Sequence, residues 1–184
     1  DLWSVKDGMI VGSTHGRDPL TKNRFLSTAD SYSDFVLRLK VKIENGNSGV
    51  QFRSEQHPDQ VVKGYQADVA METYFGMLYE EGKRGIMPYW KELSEDEKKA
   101  IFNAAKLDDW NEYVITCKGD RIKMVLNGYT TLDIPDPDGA KKGVIALQMH
   151  VWKEPMRVYF KDIEIKEIEK IVNLKRLNPL NVIK

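Results

Sequence analysis

The chain has 184 residues, 41% hydrophobic and 30% charged, enough for one domain with a full core and too few for two comfortable ones. Lys and Arg number 28, as do Asp and Glu, so no net field favours nucleic acid or an anionic membrane as partner. Cys117 is the single cysteine, which excludes an intramolecular disulfide and any CxxC metal or redox pair. No apolar run reaches the roughly 18 residues of a membrane span, and no signal peptide is visible. The chain opens inside what reads as a strand, so a processed leader or an N-terminal strand is expected to precede it.

In chain order, residues 3–5 and 9–12 read as strands around Asp7-Gly8, a hairpin turn. Residues 35–43 alternate strictly, with Phe35, Leu37, Leu39, Val41 and Ile43 on one parity, the period of a half-buried strand. Asn45-Gly46-Asn47 turns the chain, because Asn and Gly tolerate positive φ. Strands are predicted at 49–54, 64–69 and 75–79. Ser94-Glu95-Asp96-Glu97 is a capping box and opens a helix running to Lys106. Strands follow at 110–118 and 121–126, and Asn127-Gly128 is the strongest hairpin signal in the chain. Residues 129–134 return from it, and 143–152 and 156–166 complete the set. In the last strand Val158 and Phe160 have even parity and Ile163 and Ile165 odd, which predicts a β-bulge near Lys161-Asp162. The pattern is all-β: an antiparallel β-sandwich of jelly-roll type with one short inserted helix. A single domain over residues 1–168 is expected, with residues 169–184 as a tail wrapping it.

Three strands depart from the usual polar face in the same way. Gln51 and Arg53 are two apart, as are Gln66 and Asp68, and Gln148 and His150. Residues two apart share a strand face, while Val50, Phe52, Ala67, Val69, Leu147 and Met149 suit the opposite, dry one. Amide, guanidinium, carboxylate and imidazole groups make fixed hydrogen bonds to hydroxyls. Each pair alone is the ordinary pattern of a solvated strand, and Arg53 with Asp68 also reads as a structural ion pair. Tyr79, Glu81 and Arg84 form a second polar cluster in a glycine-bounded hairpin. Trp3 and Trp110 are expected in the core, and Trp90 and Trp152 as candidate platforms for a sugar ring. Asp136-Pro-Asp-Gly139 faintly echoes a calcium loop and reads more simply as a turn. No GxSxG, HExxH, P-loop or dinucleotide glycine motif occurs. The E-x-D-x-x-E strand of jelly-roll glucanases is also absent, so a two-carboxylate glycosidase would have to recruit Asp68 and Glu81 from different strands.

Seven blocks carry a family resemblance: Asn47-Ser-Gly-Val-Gln-Phe-Arg53, Gly64-Tyr-Gln-Ala-Asp68, the segment 76–85, Asp109-Trp-Asn-Glu-Tyr113, Leu126-Asn-Gly128, Ala146-Leu-Gln-Met-His150 and Val158-Tyr-Phe-Lys-Asp-Ile163. Over residues 3–167 the chain resembles the 3-keto-disaccharide hydrolases, a family of candidate glycosyl hydrolases. Lys63-Gly64 stands where members often carry Glu before the Tyr-Gln pair, and Val151 where a Gly usually follows the histidine. The resemblance implies a concanavalin A-like lectin/glucanase fold, an exported protein (periplasmic or extracellular) and a carbohydrate partner. It implies a polar cleft carrying Arg53, Gln66, Asp68, Tyr79, Glu81, Arg84, Gln148 and His150, to which the polar-face parity adds Gln51 and the aromatic reading Trp152.

A 3-keto group makes the sugar C2 proton acidic, so a base can remove it and the C1 substituent can leave by elimination, with water adding afterwards. Such chemistry needs a base, an oxyanion stabiliser and an acid. His150 or Asp68 is the expected base, Arg53 the enolate stabiliser, and Glu81 or Tyr79 the acid, with Gln66 and Gln148 orienting hydroxyls. A divalent metal ion held by Asp68, Glu81 and His150 is the alternative electrophile. A non-catalytic carbohydrate-binding module, or a structural domain with a merely solvated face, would suit the same fold.

Overall fold

Alternation is most regular in β4 (Phe35–Ile43), where all five odd residues are buried against the opposite sheet. The computed structural model describes residues 1–71, 73–107 and 109–168. The expected tail over 169–184 lies outside the described residues. β4 is the centre of a seven-stranded antiparallel sheet with β1 (Trp3–Lys6), β2 (Met9–Ser13), β9 (Asn111–Lys118), β10 (Arg121–Leu126), β11 (Tyr129–Pro135) and β13 (Arg157–Glu167), in the order β1-β2-β13-β4-β9-β10-β11. The second sheet holds β3 (Arg24–Tyr32), β5 (Asn47–Gln56), β6 (Val62–Ala70), β7 (Leu78–Glu81), β8 (Gly85–Ile86) and β12 (Gly143–Met149), in the order β3-β12-β5-β6-β7-β8. Leu37, Leu39 and Val41 pack in one cluster with Val50, Phe52, Tyr65, Ala67 and Val69. Each such side chain contributes about 1.5–3 kcal/mol by leaving water. Among the described residues no helix is long and apolar enough to cross a membrane.

Several local expectations hold. Asp7 and Gly8 both take positive φ between β1 and β2. The bulge in β13 lies between Lys161 and Glu164, with Asp162 at φ 52°. Ser94 and Glu97 form the capping box of α2 (Glu95–Asn103), although that helix stops three residues short of Lys106.

Other details differ. β3 was not foreseen, because Ser27, Thr28, Asp30 and Ser31 hide its pattern on a sheet edge. A second helix, α1 (Pro88–Glu92), starts on its own proline. β7 begins at Leu78, and Phe75 instead stacks on Tyr113 in the core. Trp3 is only partly buried, packed against Phe160. Trp110 is not core: its ring lies on the outer face of the seven-stranded sheet, with the Lys161 ammonium 4.0 Å from its centroid.

Arg53 requires the main correction. The β5–β6 register slips between Phe52 and Glu55, and Arg53 sits at φ 46°. This bulge breaks the alternation that places Gln51 on the polar face, so Arg53 does not follow Gln51 there. Its guanidinium, 1% exposed, donates to Ser33 O (2.7 Å), Gly119 O (2.8 Å) and Asp34 Oδ1 (3.0 Å). The arginine therefore joins the β3–β4 and β9–β10 turns at one end of the sandwich. Arg53→Met is expected to cost about 3 kcal/mol in urea unfolding, because a buried carboxylate and two carbonyls lose their donor. Arg53→Lys should recover little of this, having no planar fork to reach three acceptors.

Candidate functional site

β5, β6 and β12 are buried on both faces, yet one of those faces is polar. Gln66 and Asp68 alternate with Tyr65, Ala67 and Val69 in β6, and Gln148 alternates with Leu147 and Met149 in β12. Short β7 adds Tyr79 and Glu81, and His150 follows the last residue of β12. Gln66, Asp68, Tyr79, Glu81 and His150 line one cleft of about 250 Å³. Asn47, Tyr74, Met77 and Ile86 complete its wall.

Two further predicted residues hold the lining from behind. Gln51 Nε2 donates to Gln66 Oε1 at 3.2 Å, and Gln148 Nε2 to Glu81 Oε2 at 3.3 Å. Three lie elsewhere. Arg53 clamps the end of the sandwich. Arg84 pairs with Glu80 and, at 2.6 Å, with Asp136 Oδ2, which also accepts from the Tyr65 hydroxyl. That network ties the β7–β8 turn to the loop after β11, and it is where the Asp136-Pro-Asp-Gly139 turn finds its role. Trp152 touches the His150 ring edge-on, 6.5 Å between centroids, but lines a separate groove with Thr14, Arg17 and Pro19. Trp90 is buried beside Met77 and Ile101, and so is no open platform.

Sequence reasoning missed three residues. Asn23 donates to Glu81 Oε1 at 3.3 Å and accepts from Val151 N at 2.9 Å, tying the carboxylate to the end of β12. It precedes the unforeseen β3 and carries no motif. Asn47 was read only as a turn residue. Tyr74, 40% exposed, is the open aromatic ring at the cleft.

Burial pushes the Asp68 carboxyl up to about 8, with Glu81 adding to the rise and the Gln66 hydrogen bond opposing it. Gln66 Nε2 donates to Asp68 Oδ1 at 2.8 Å, so the acid's proton belongs on Oδ2. Burial, then Glu81 and Asp68, also raise the Tyr79 hydroxyl. Asp68 and Tyr79 are therefore both donors at neutral pH. His150 Nδ1 lies 2.6 Å from Val151 O. A carbonyl only accepts, so Nδ1 carries the hydrogen of the neutral ring and Nε2 keeps its lone pair. None of the lining residues is Lys or Arg. Among the described residues no group of three or more His, Cys, Asp or Glu is placed to hold a metal ion. Asp68, Glu81 and His150 share the cleft without closing into a ligand set.

The carbonyl oxygens of Asn47, Gln51 and Gln148 are buried without a partner. Such atoms are costly in a dry site and suit a ligand or water that brings donors.

The model of the 3-keto-alpha-glucoside-1,2-lyase-like domain matches residues 1–166. The chain belongs to this family. A candidate glycosyl hydrolase from Parabacteroides distasonis is 20% identical, with a TM-score of 0.61 over 91% of this chain and 90% of that one. Carbohydrate-binding module CBM66 from Bacillus subtilis is 17% identical, with a TM-score of 0.62 over 90% and 91%. A Bacillus subtilis protein of unknown function with a galectin-like fold is 13% identical, with a TM-score of 0.61 over 90% and 86%. These three likenesses establish the lectin-like sandwich and nothing beyond it. No curated protein sequence matches the chain significantly.

Two glycines shape this lyase-like domain around its cleft. A Cβ on Gly49 would lie 2.3 Å from Gln66 Cδ, so only glycine lets that amide lie across β5. Gly64, at φ 148°, has no room for a side chain, because a Cβ would stand 2.7 Å from Ser54 Cα.

The raised Asp68 sets a stability trend. The folded protein holds this proton more tightly than the unfolded chain, so the contribution is full below about pH 4 and is lost as pH rises through about 8. Asp68→Asn keeps an acceptor for Gln66 and removes the titration. Its melting temperature should match the wild type near pH 4, exceed it at pH 9 and vary less in between, as a scanning-calorimetry series would measure.

Proposed function

We propose that the cleft cleaves 3-keto-glycosides by 1,2-elimination followed by hydration. The observation that carries this reading is that one cleft holds a buried Asp68, whose carboxyl burial pushes up, and a His150 whose Nδ1 faces the Val151 carbonyl and leaves Nε2 for a substrate. An acid and a base held in one cleft match the two proton transfers of the reaction.

His150 Nε2 takes the C2 proton, and the electrons of that bond form the enolate of the 3-keto group. Tyr79 is the neutral donor at hand for the enolate oxygen, a role Arg53 cannot fill from the sandwich end. The C1–O bond breaks as Asp68 Oδ2 passes its proton to the leaving oxygen. Water then adds, with hydroxyl to C1 and a proton to C2 from His150, whose ring N–H exchanges with solvent while the enone is held, and Asp68 recovers a proton from the water. Glu81, held by Asn23 and Gln148, orients hydroxyls together with Gln66. Tyr74 offers a ring for the apolar face of a sugar. An exported location, periplasmic or extracellular, belongs to the same reading.

The second reading is a carbohydrate-binding module. The unpartnered side-chain carbonyl of Asn47, which lines the cleft, favours it, because it recognises a hydroxyl without needing a base. The likeness of fold to CBM66 is compatible with it.

Turnover of a 3-keto-glycoside in deuterated water separates the two. We expect deuterium at C2 of the product, with kcat falling as pH rises through about 8, where Asp68 loses the proton it donates. His150→Ala and Asp68→Asn should each lower kcat by about 10²–10⁴-fold. Product without C2 exchange would overturn the elimination route. Sugar binding without any turnover would leave the binding module.

A further inference from the structure

We infer that Gln51 is a positioning residue: through a relay anchored on the backbone, it fixes the Gln66 side-chain amide so that its N–H faces Asp68. The relay runs in one direction across adjacent strands. Gln51 Nε2 donates to the backbone carbonyl of Val62 and to Gln66 Oε1, both at 3.2 Å, and Gln66 Nε2 donates to Asp68 Oδ1 at 2.8 Å.

The order of donors and acceptors follows from its anchor. A backbone carbonyl only accepts, so the Gln51 group facing Val62 O must be its NH₂. The same NH₂ faces Gln66, which must therefore present its oxygen to Gln51 and its nitrogen to Asp68. A carboxyl group alone would not impose this, since a protonated acid can donate to an amide oxygen as readily as it accepts from an amide nitrogen. Gln51 and Gln66 are 0% and 3% exposed, so water is poorly placed to substitute for either bond. Gly49 leaves the space in which the Gln66 amide lies. Which oxygen of Asp68 faces the cleft with its proton is thus decided two side chains away, by a residue that does not line the cleft. Packing alone does not call for this, because an aliphatic side chain of similar size would fill the space occupied by Gln51 without an unpartnered Oε1.

The inference rests on the proposed role of Asp68 for its catalytic meaning, but the relay itself is read independently of turnover. The ¹⁵N-labelled side-chain amide of Gln66 gives that reading. In the wild type its two N–H signals should be separate and protected from solvent exchange. In Gln51→Leu protection should drop at least tenfold while the backbone spectrum stays folded. If Gln51→Leu does not fold, Gln51→Met is the substitute, nearer in length and equally unable to donate. Turnover gives the second readout. Gln51→Leu should lower kcat with little change in KM, and by about as much as Gln66→Met. The double variant should be no slower than the slower single one, since both changes interrupt the same chain. Unchanged Gln66 protection, or kcat losses that multiply in the double variant, would overturn the relay. Loss of protection in a protein that turns over no 3-keto-glycoside would sink the proposed reaction and leave the relay standing.

Discussion

The pleat of a β-strand sends successive side chains to opposite faces, and the cleft depends on β6, and on β12 beyond its slip between Val144 and Ala146, keeping that alternation. Tyr65, Ala67 and Val69 go into the core, so Gln66 and Asp68 must go outward. Leu147 and Met149 do the same for Gln148 and His150. One inserted residue in either strand would send the acid or the base into the hydrocarbon interior. The chain does insert such a residue in β5, after Gln51 has been placed. Arg53 leaves the polar face there and serves the end of the sandwich instead.

Burial then turns an ordinary polar face into a reactive one. Asp68 is 5% exposed, and its charged form loses hydration that no nearby cation replaces. The sheet offers amides instead. Gln66 donates to one oxygen, Gln148 and Asn23 hold the neighbouring Glu81, and Gln51 holds Gln66. Amides can do this because each supplies both a donor and an acceptor, so a chain of them transmits orientation. The two carboxyl groups are thereby set apart in role. Glu81 accepts from two amides, whereas Asp68 accepts a single bond and is pushed by burial toward holding its proton.

The two arginines mark the limit of reading by spacing. Arg53 and Arg84 both lie in segments that resemble the family's blocks, and both were expected over the sheet. Each answers an acidic partner instead: the half-buried Asp34 for Arg53, and the buried Glu80 and Asp136 for Arg84. A fully hydrogen-bonded guanidinium is costly to move, so these side chains hold turns and are not free to approach a ligand. Similarly, Trp90, a candidate sugar platform by its place in the chain, belongs to α1 and packs its ring against Met77 and Ile101.

The amino-acid sequence by itself determined the all-β class, the span and alternation of β4, the capping box of α2, the β13 bulge and the parity of five cleft residues. All of these depend on periodicity or on contacts a few residues apart, which a linear string records. Only the tertiary structure decided the β5 bulge at Arg53, the edge strand β3, the placement of Asn23 against Glu81 and the partners of Arg84. Apart from the Arg84–Glu80 pair, four positions apart, those outcomes depend on contacts between residues 19 to 128 positions apart, where the competing partners are known only once both sheets have closed. The proton on Asp68 belongs to the second group as well, because a carboxyl group's affinity for it is set by the burial and neighbours that folding creates.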